Sequence, residues 1–195
     1  MRVLVASQEF KGSLSAEEAC DAIAAGIRAA VPGWDIDLVP LSDGGPGFID
    51  ALRRAVRCDT GAATVHDALG RPVLARYLVT RDDGHVIIEA AQANGLFHIA
   101  PGERDALRAD TRGVGELIAA AAPQGAKRVI IGVGGSATSD GGAGMAVALG
   151  ARLLDDAGQP IGPGVPPLLR LDRSPCSERS INQLKPETSV RFGTD

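Results

Sequence analysis

The sequence predicts an α/β protein in two units, and three observations carry that reading. The chain opens strand–helix–strand–loop–helix, the pattern of a parallel sheet with covering helices. Further on, two β-rich runs joined by Arg81-Asp-Asp-Gly84 read as an antiparallel hairpin, which places a domain boundary near residue 62. Glycine reaches 25 of 195 residues while aromatics are 3%, against a usual glycine share of about 7%. Glycine loops must therefore connect a core of Ala, Val, Leu and Ile.

Arg2-Val-Leu-Val-Ala-Ser7 suits a short buried strand. Ser15 is placed to cap a helix with Glu17 and Glu18 in its first turn and Ala19, Ile23, Ile27 and Ala30 on one face. Pro32 and Gly33 end it at Val31. Asp35 to Pro40 reads as the next strand, 42–47 as a loop and Phe48 to Val56 as a second helix. Beyond residue 62, Val73 to Val79 and His85 to Ala90 are strands, Thr111 caps a helix reaching Ala122, and Arg128 to Val133 is a compact buried strand. Gly134 to Asp140 is a loop and Gly141 to Leu149 a small-residue helix. From Cys176 to Asp195 only Cys176, Ile181, Leu184, Val190 and Phe192 are hydrophobic, so a poorly packed tail is expected there. The units are 1–62, 63–175 and the tail 176–195.

A net charge of −4 argues against a sequence-independent grip on nucleic acid. No apolar run approaches the roughly 20 residues that span a bilayer, and the first is too short for a signal peptide. Cys20, Cys58 and Cys176 form no CxxC pair and read as incidental thiols of a reducing compartment. A cytoplasmic protein without membrane or nucleic-acid partners is expected.

Three glycine-bearing loops follow predicted strands, at the edge where open α/β sheets bind ligands. In Gly132-Val-Gly-Gly-Ser-Ala-Thr-Ser-Asp-Gly-Gly-Ala-Gly144, the glycines let backbone amides approach an anion. Ser136 and Thr138 add hydroxyls there, and Asp140 can hold Mg2+ or orient a hydroxyl nucleophile. The block is neither a Walker A loop nor a Rossmann GxGxxG. In Glu9-Phe-Lys-Gly-Ser-Leu14, Lys11 can meet a phosphate or carboxylate, with Ser13 beside it. In the third loop Asp43 precedes Gly44 and Gly45 and can act as metal ligand or general base, or simply close a turn. Anion cradle, cation and carboxylate together are what phosphoryl transfer needs. Glu89, Gln92 and Asn94 could face a substrate or start a helix, and the histidines share no ligand spacing.

FKGSLSAEEA, LSDGG, IEAAQANGL and GVGGSATSDGGAGM resemble the bacterial-type glycerate kinases over about residues 1–174. The resemblance implies ATP-dependent phosphorylation of D-glycerate with Mg2+, as in glyoxylate metabolism. It also implies a Rossmann- or flavodoxin-like parallel-sheet domain, incomplete here, plus a second inserted mixed α/β domain, with the site in the cleft. Carried over, the catalytic residues are Lys11, Asp43 and Asp140, with both aspartates as metal ligands. The nucleotide falls to Ser13, Gly44, Gly45, Gly134, Gly135, Ser136, Thr138, Gly141 and Gly142. The family's Pro-Asp-Ser is Ala6-Ser-Gln-Glu9 here, and its DGGEG is Asp43-Gly-Gly-Pro-Gly47, where Pro46 removes an amide donor. Family members run well beyond this length, so the chain is expected to be a truncated form. As such it would be active, or a silent fragment that binds nucleotide or another chain, and it would self-associate through exposed edges.

Overall fold

Two sheets form, one parallel and one mixed. The computed structural model describes residues 1–124, 126–172 and the backbone of 189–190. β1 (Arg2–Val5) and β2 (Asp35–Leu38) pair in parallel across α1 (Ala16–Ala30). Ser15 and Glu18 form a reciprocal capping box at the start of α1, which buries Ala19, Cys20 and Ala24. The other sheet runs β3 (Cys58–His66), β4 (Pro72–Thr80), β5 (His85–Glu89), β6 (Arg128–Gly132) and β7 (Ser189–Val190). β3–β4–β5 are antiparallel, while β6 joins β5, and β7 joins β6, in parallel.

Residues 81–84 do connect antiparallel strands, pairing Tyr77 with Ile88 and Val79 with Val86. β3 was not anticipated, because Asp59, Gly61 and Ala62 are poor strand formers. Its glycine has a packing reason: a Cβ on Gly61 would lie 2.3 Å from the Tyr77 ring. The boundary drawn at residue 62 therefore falls inside a nine-residue strand, and the chain passes from one sheet to the other at Arg57. Most of the expected tail, Cys176 included, lies outside the described residues.

The large sheet is covered on both faces, which is why β5 reads as a continuous apolar run. Val86 and Ile88 join Tyr77 and the α4 (Arg112–Ala121) residues Val114, Leu117 and Ile118 in the main core. Their alternates Ile87 and Leu78 meet Ile49 of α2 (Phe48–Ala55) on the opposite face. So α2, counted with the first unit in sequence, packs on the second sheet. Among the described residues no helix is long and apolar enough to cross a membrane.

Two short helices complete the loop edge: α3 (Ala91–Asn94) after β5 and α5 (Ala143–Ala148) after β6. Gly115 lets α4 and α5 meet, since a Cβ there would sit 2.5 Å from the Met145 carbonyl. His66 is half-buried and its Nδ1 pairs with Glu116 at 2.9 Å.

Candidate active site

All three expected glycine-bearing loops leave the C-terminal ends of parallel strands, and the backbone brings two of them into contact. Gly134 donates its N–H to the Gly44 carbonyl at 3.0 Å. A Cβ on Gly134 would lie 2.7 Å from the Gly45 Cα, and one on Gly44, at φ +88°, 3.2 Å from the Gly132 Cα. These glycines thus serve a backbone-to-backbone seam, an arrangement no larger residue permits. Pro46 covers Gly135, whose Cβ position is 2.7 Å from the proline Cδ.

Two cavities adjoin the loops of this seam. One, of about 290 Å3, is lined by Glu9, Lys11, Glu17, Ser42, Asp43 and Asp50 among others. Lys11 is exposed and in no ion pair among the described residues. Glu17 and Asp50 face Arg54 and Arg76 at 2.9 and 3.1 Å. Asp43 uses Oδ1 to accept the Gly45 N–H at 2.9 Å and remains exposed. Ser13 is exposed and outside this lining; its N–H closes a turn on the Phe10 carbonyl. Glu9 and Asp50 were not singled out in the sequence. Glu9 stands beside the position where a carboxylate was missed, and Asp50 reaches the cavity from the first turn of α2.

The second cavity, about 620 Å3, is lined by Asn94, Thr111, Ser136, Thr138, Asp140, Gly141 and Gly142, with apolar walls behind them. Asp140 is engaged on both carboxylate oxygens. Its buried Oδ2 accepts the Thr111 N–H, the Thr111 hydroxyl and the Gly144 N–H, each at 2.9 Å, and Oδ1 takes the Gly142 N–H at 3.2 Å. Four donors hold the carboxylate, three on Oδ2 and one on Oδ1, so Asp140 clamps the two loops together. Thr111 likewise does not cap α4 with its side chain; its hydroxyl accepts the Met145 N–H of α5 at 2.9 Å. Gly141 and Gly142 take φ +61° and +84° to turn the chain around this clamp.

The Glu89–Asn94 segment divides its side chains between two neighbouring loops. Glu89 is buried and accepts the Ile49 N–H at 3.3 Å and the Gln92 amide at 3.2 Å. Burial pushes its carboxyl above the ordinary glutamate value, against those hydrogen bonds. Glu89 thereby ties α2, which follows the Asp43 loop, to the end of β5. Asn94 ties in the other loop through Ser136 and Thr138.

Among the described residues no three acidic, His or Cys groups lie close enough to hold a metal by themselves. Mg2+ needs less than that, since one or two carboxylates suffice when phosphate oxygens and water complete its shell. Asp43 fits this demand, because only one of its oxygens is taken by the turn.

The sequence model of the Glycerate kinase family matches residues 3–191, past Ser174 where the motif likeness stops. A glycerate kinase of Bacillus subtilis (strain 168) is 46% identical over 164 residues, covering 84% of this chain and 43% of that protein. One from Halalkalibacterium halodurans is 40% identical over 186 residues, 94% of this chain and 49% of that protein. The glycerate 2-kinase of Escherichia coli (strain K12) is 43% identical over 164 residues, 84% and 43% of the respective chains. Among solved structures, a protein named glycerate kinase 2 from Salmonella typhimurium LT2 superposes with a TM-score of 0.77 at 41% identity, covering 91% of this chain and 48% of that one. The chain spans less than half the length of these relatives.

Proposed function

The chain belongs to the glycerate kinase family, and from that premise we propose that it carries the loop edge of an ATP-dependent phosphotransferase acting on D-glycerate. The observation that carries this is the seam of Gly44 on Gly134. It joins the loop presenting Lys11's neighbour Asp43 to the loop presenting Ser136 and Thr138. Phosphoryl transfer rests mainly on positioning and charge neutralisation, which such a rigid junction of loops supports.

In this reading Lys11, exposed beside the smaller cavity, neutralises the anionic reactants, and Asp43 holds Mg2+ through its exposed carboxylate. Held there, Mg2+ would supply positive charge to offset that of the phosphates. Ser13 stays at the rim, while Gly44, Gly45, Gly134 and Gly135 set the spacing of the loops. The 43% identity with a glycerate 2-kinase supports the 2-hydroxyl as acceptor. The free thiols of Cys20 and Cys58 fit a cytoplasmic setting.

The test is an ADP-release assay with D-glycerate, ATP and Mg2+, run beside Lys11→Ala and Asp43→Asn. Turnover by the chain, reduced by about 10²-fold in each variant, is the expected result. Equal turnover in all three would move the chemistry elsewhere. A folded chain without turnover would leave it a nucleotide-binding or associating portion of such an enzyme.

A further inference from the structure

Charge separates the two cavities. The smaller is lined by Lys11 and four carboxylates. The larger has no Lys, Arg or His in its lining among the described residues, and its charged group, Asp140, is held by four donors. Ala90, Val114, Ile131, Val133, Met145 and Ala146 make its walls. A polyphosphate would find no counter-charge there and a buried carboxylate nearby, both unfavourable at low dielectric. An uncharged ring bearing hydroxyls fits such walls.

The polar groups at its mouth are ordered by Asn94, which is 3% exposed. Its Nδ2 donates to Thr138 Oγ1 at 3.1 Å, and its Oδ1 accepts from Ser136 Oγ at 3.4 Å. Its backbone carbonyl accepts the Ala137 N–H between them at 2.8 Å. With a lone pair taken by the amide, Thr138 is left to donate its proton to the cavity. Ser136 directs its proton to Asn94 and to the Val133 carbonyl at 3.3 Å, and presents lone pairs. A donor and an acceptor side by side match vicinal hydroxyls, each of which gives and takes a hydrogen bond.

We propose that this 620 Å3 cavity holds the nucleoside of the phosphoryl donor, its base on the apolar wall and its sugar hydroxyls on Ser136 and Thr138, with Asn94 as the positioning residue. The phosphates then lie outside it. The assignment rests on the phosphotransferase reading but is tested without turnover. Calorimetric titration of the whole chain uses adenosine as one probe and Mg2+-tripolyphosphate as the other. Thr138→Val and Ala146→Trp weaken adenosine by about tenfold or more and leave tripolyphosphate unchanged. Thr138→Ser, which keeps the donor, retains adenosine binding. Asn94→Asp, whose carboxylate draws the Thr138 proton inward, behaves like Thr138→Val, and combining the two adds little. The proposal is overturned if adenosine does not bind, if it binds the variants equally, or if Thr138→Val weakens tripolyphosphate instead. Absent turnover with the adenosine pattern intact refutes only the kinase reading. Turnover without that pattern refutes only the cavity assignment.

Discussion

Replacing Asp140 by alanine separates a structural from a chemical aspartate. The substitution removes the acceptor of the Thr111, Gly142 and Gly144 amides and of the Thr111 hydroxyl. The hydroxyl can turn elsewhere, so the three backbone donors set the cost. A donor losing a charged acceptor loses about 1–1.5 kcal/mol once water partly replaces it, and the adjoining 620 Å3 cavity admits that water. Three such losses come to about 3–5 kcal/mol, a large part of the roughly 5–15 kcal/mol that holds an ordinary domain. Asp140→Asn keeps one acceptor oxygen and should fall between. Urea unfolding followed by circular dichroism reads the effect as a lowered midpoint at unchanged m-value. If Asp140→Ala unfolds within about 1 kcal/mol of the wild type yet abolishes turnover, the clamp argument is wrong and Asp140 belongs to the chemistry.

Glu89 predicts a pH dependence. Burial raises its carboxyl above the ordinary value of 4.5, so the folded state holds that proton more tightly than the unfolded one. Its contribution to stability therefore declines as pH rises from 4.5 through the raised folded value. Glu89→Gln lacks this decline, so urea midpoints measured at acid and neutral pH should shift in the variant's favour as pH rises; a shift the other way counts against it. Two glycines predict opposite signs in thermal melts. Gly26 lies in the interior of α1 with nothing within 4 Å of where an alanine methyl would stand, so Gly26→Ala should stabilise by about 0.5–1 kcal/mol. A Cβ on Gly113 would sit 1.7 Å from the His66 carbonyl oxygen, so Gly113→Ala should cost about 3 kcal/mol or more. Near-neutral behaviour of Gly113→Ala would mean that α4 does not rest this closely on β3.

The elements with local signals were legible in the sequence. Ser15 with Glu18, the Asp-Gly turn at 83–84 and the apolar run of β6 each carry their own conformational preference, and each appears where it was expected. β3 was illegible because its partner decides it. Cys58 to His66 is weak in strand formers and is held by pairing with β4 and by the Tyr77 ring over Gly61. The candidate site shows the same division. Lys11, Asp43, Ser136 and Thr138 were found from residue type and position after a strand, whereas Glu9 and Asp50 became neighbours of Lys11 only through folding.

Residue identity and local spacing are one-dimensional facts, so the chain alone disclosed the chemistry on offer: small loops at strand ends, one lysine, two aspartates and three hydroxyls. The tertiary structure decided how each is used. Asp43 and Asp140 both precede a glycine pair and look equivalent along the chain. One ends exposed beside Lys11, and the other is buried under four donors from Thr111, Gly142 and Gly144. The difference is set by the packing of α4 against α5, which brings Thr111 to Asp140 across 29 residues of chain. Among the described residues no such partner comes to Asp43, and its carboxylate stays exposed beyond the bond that closes its own turn.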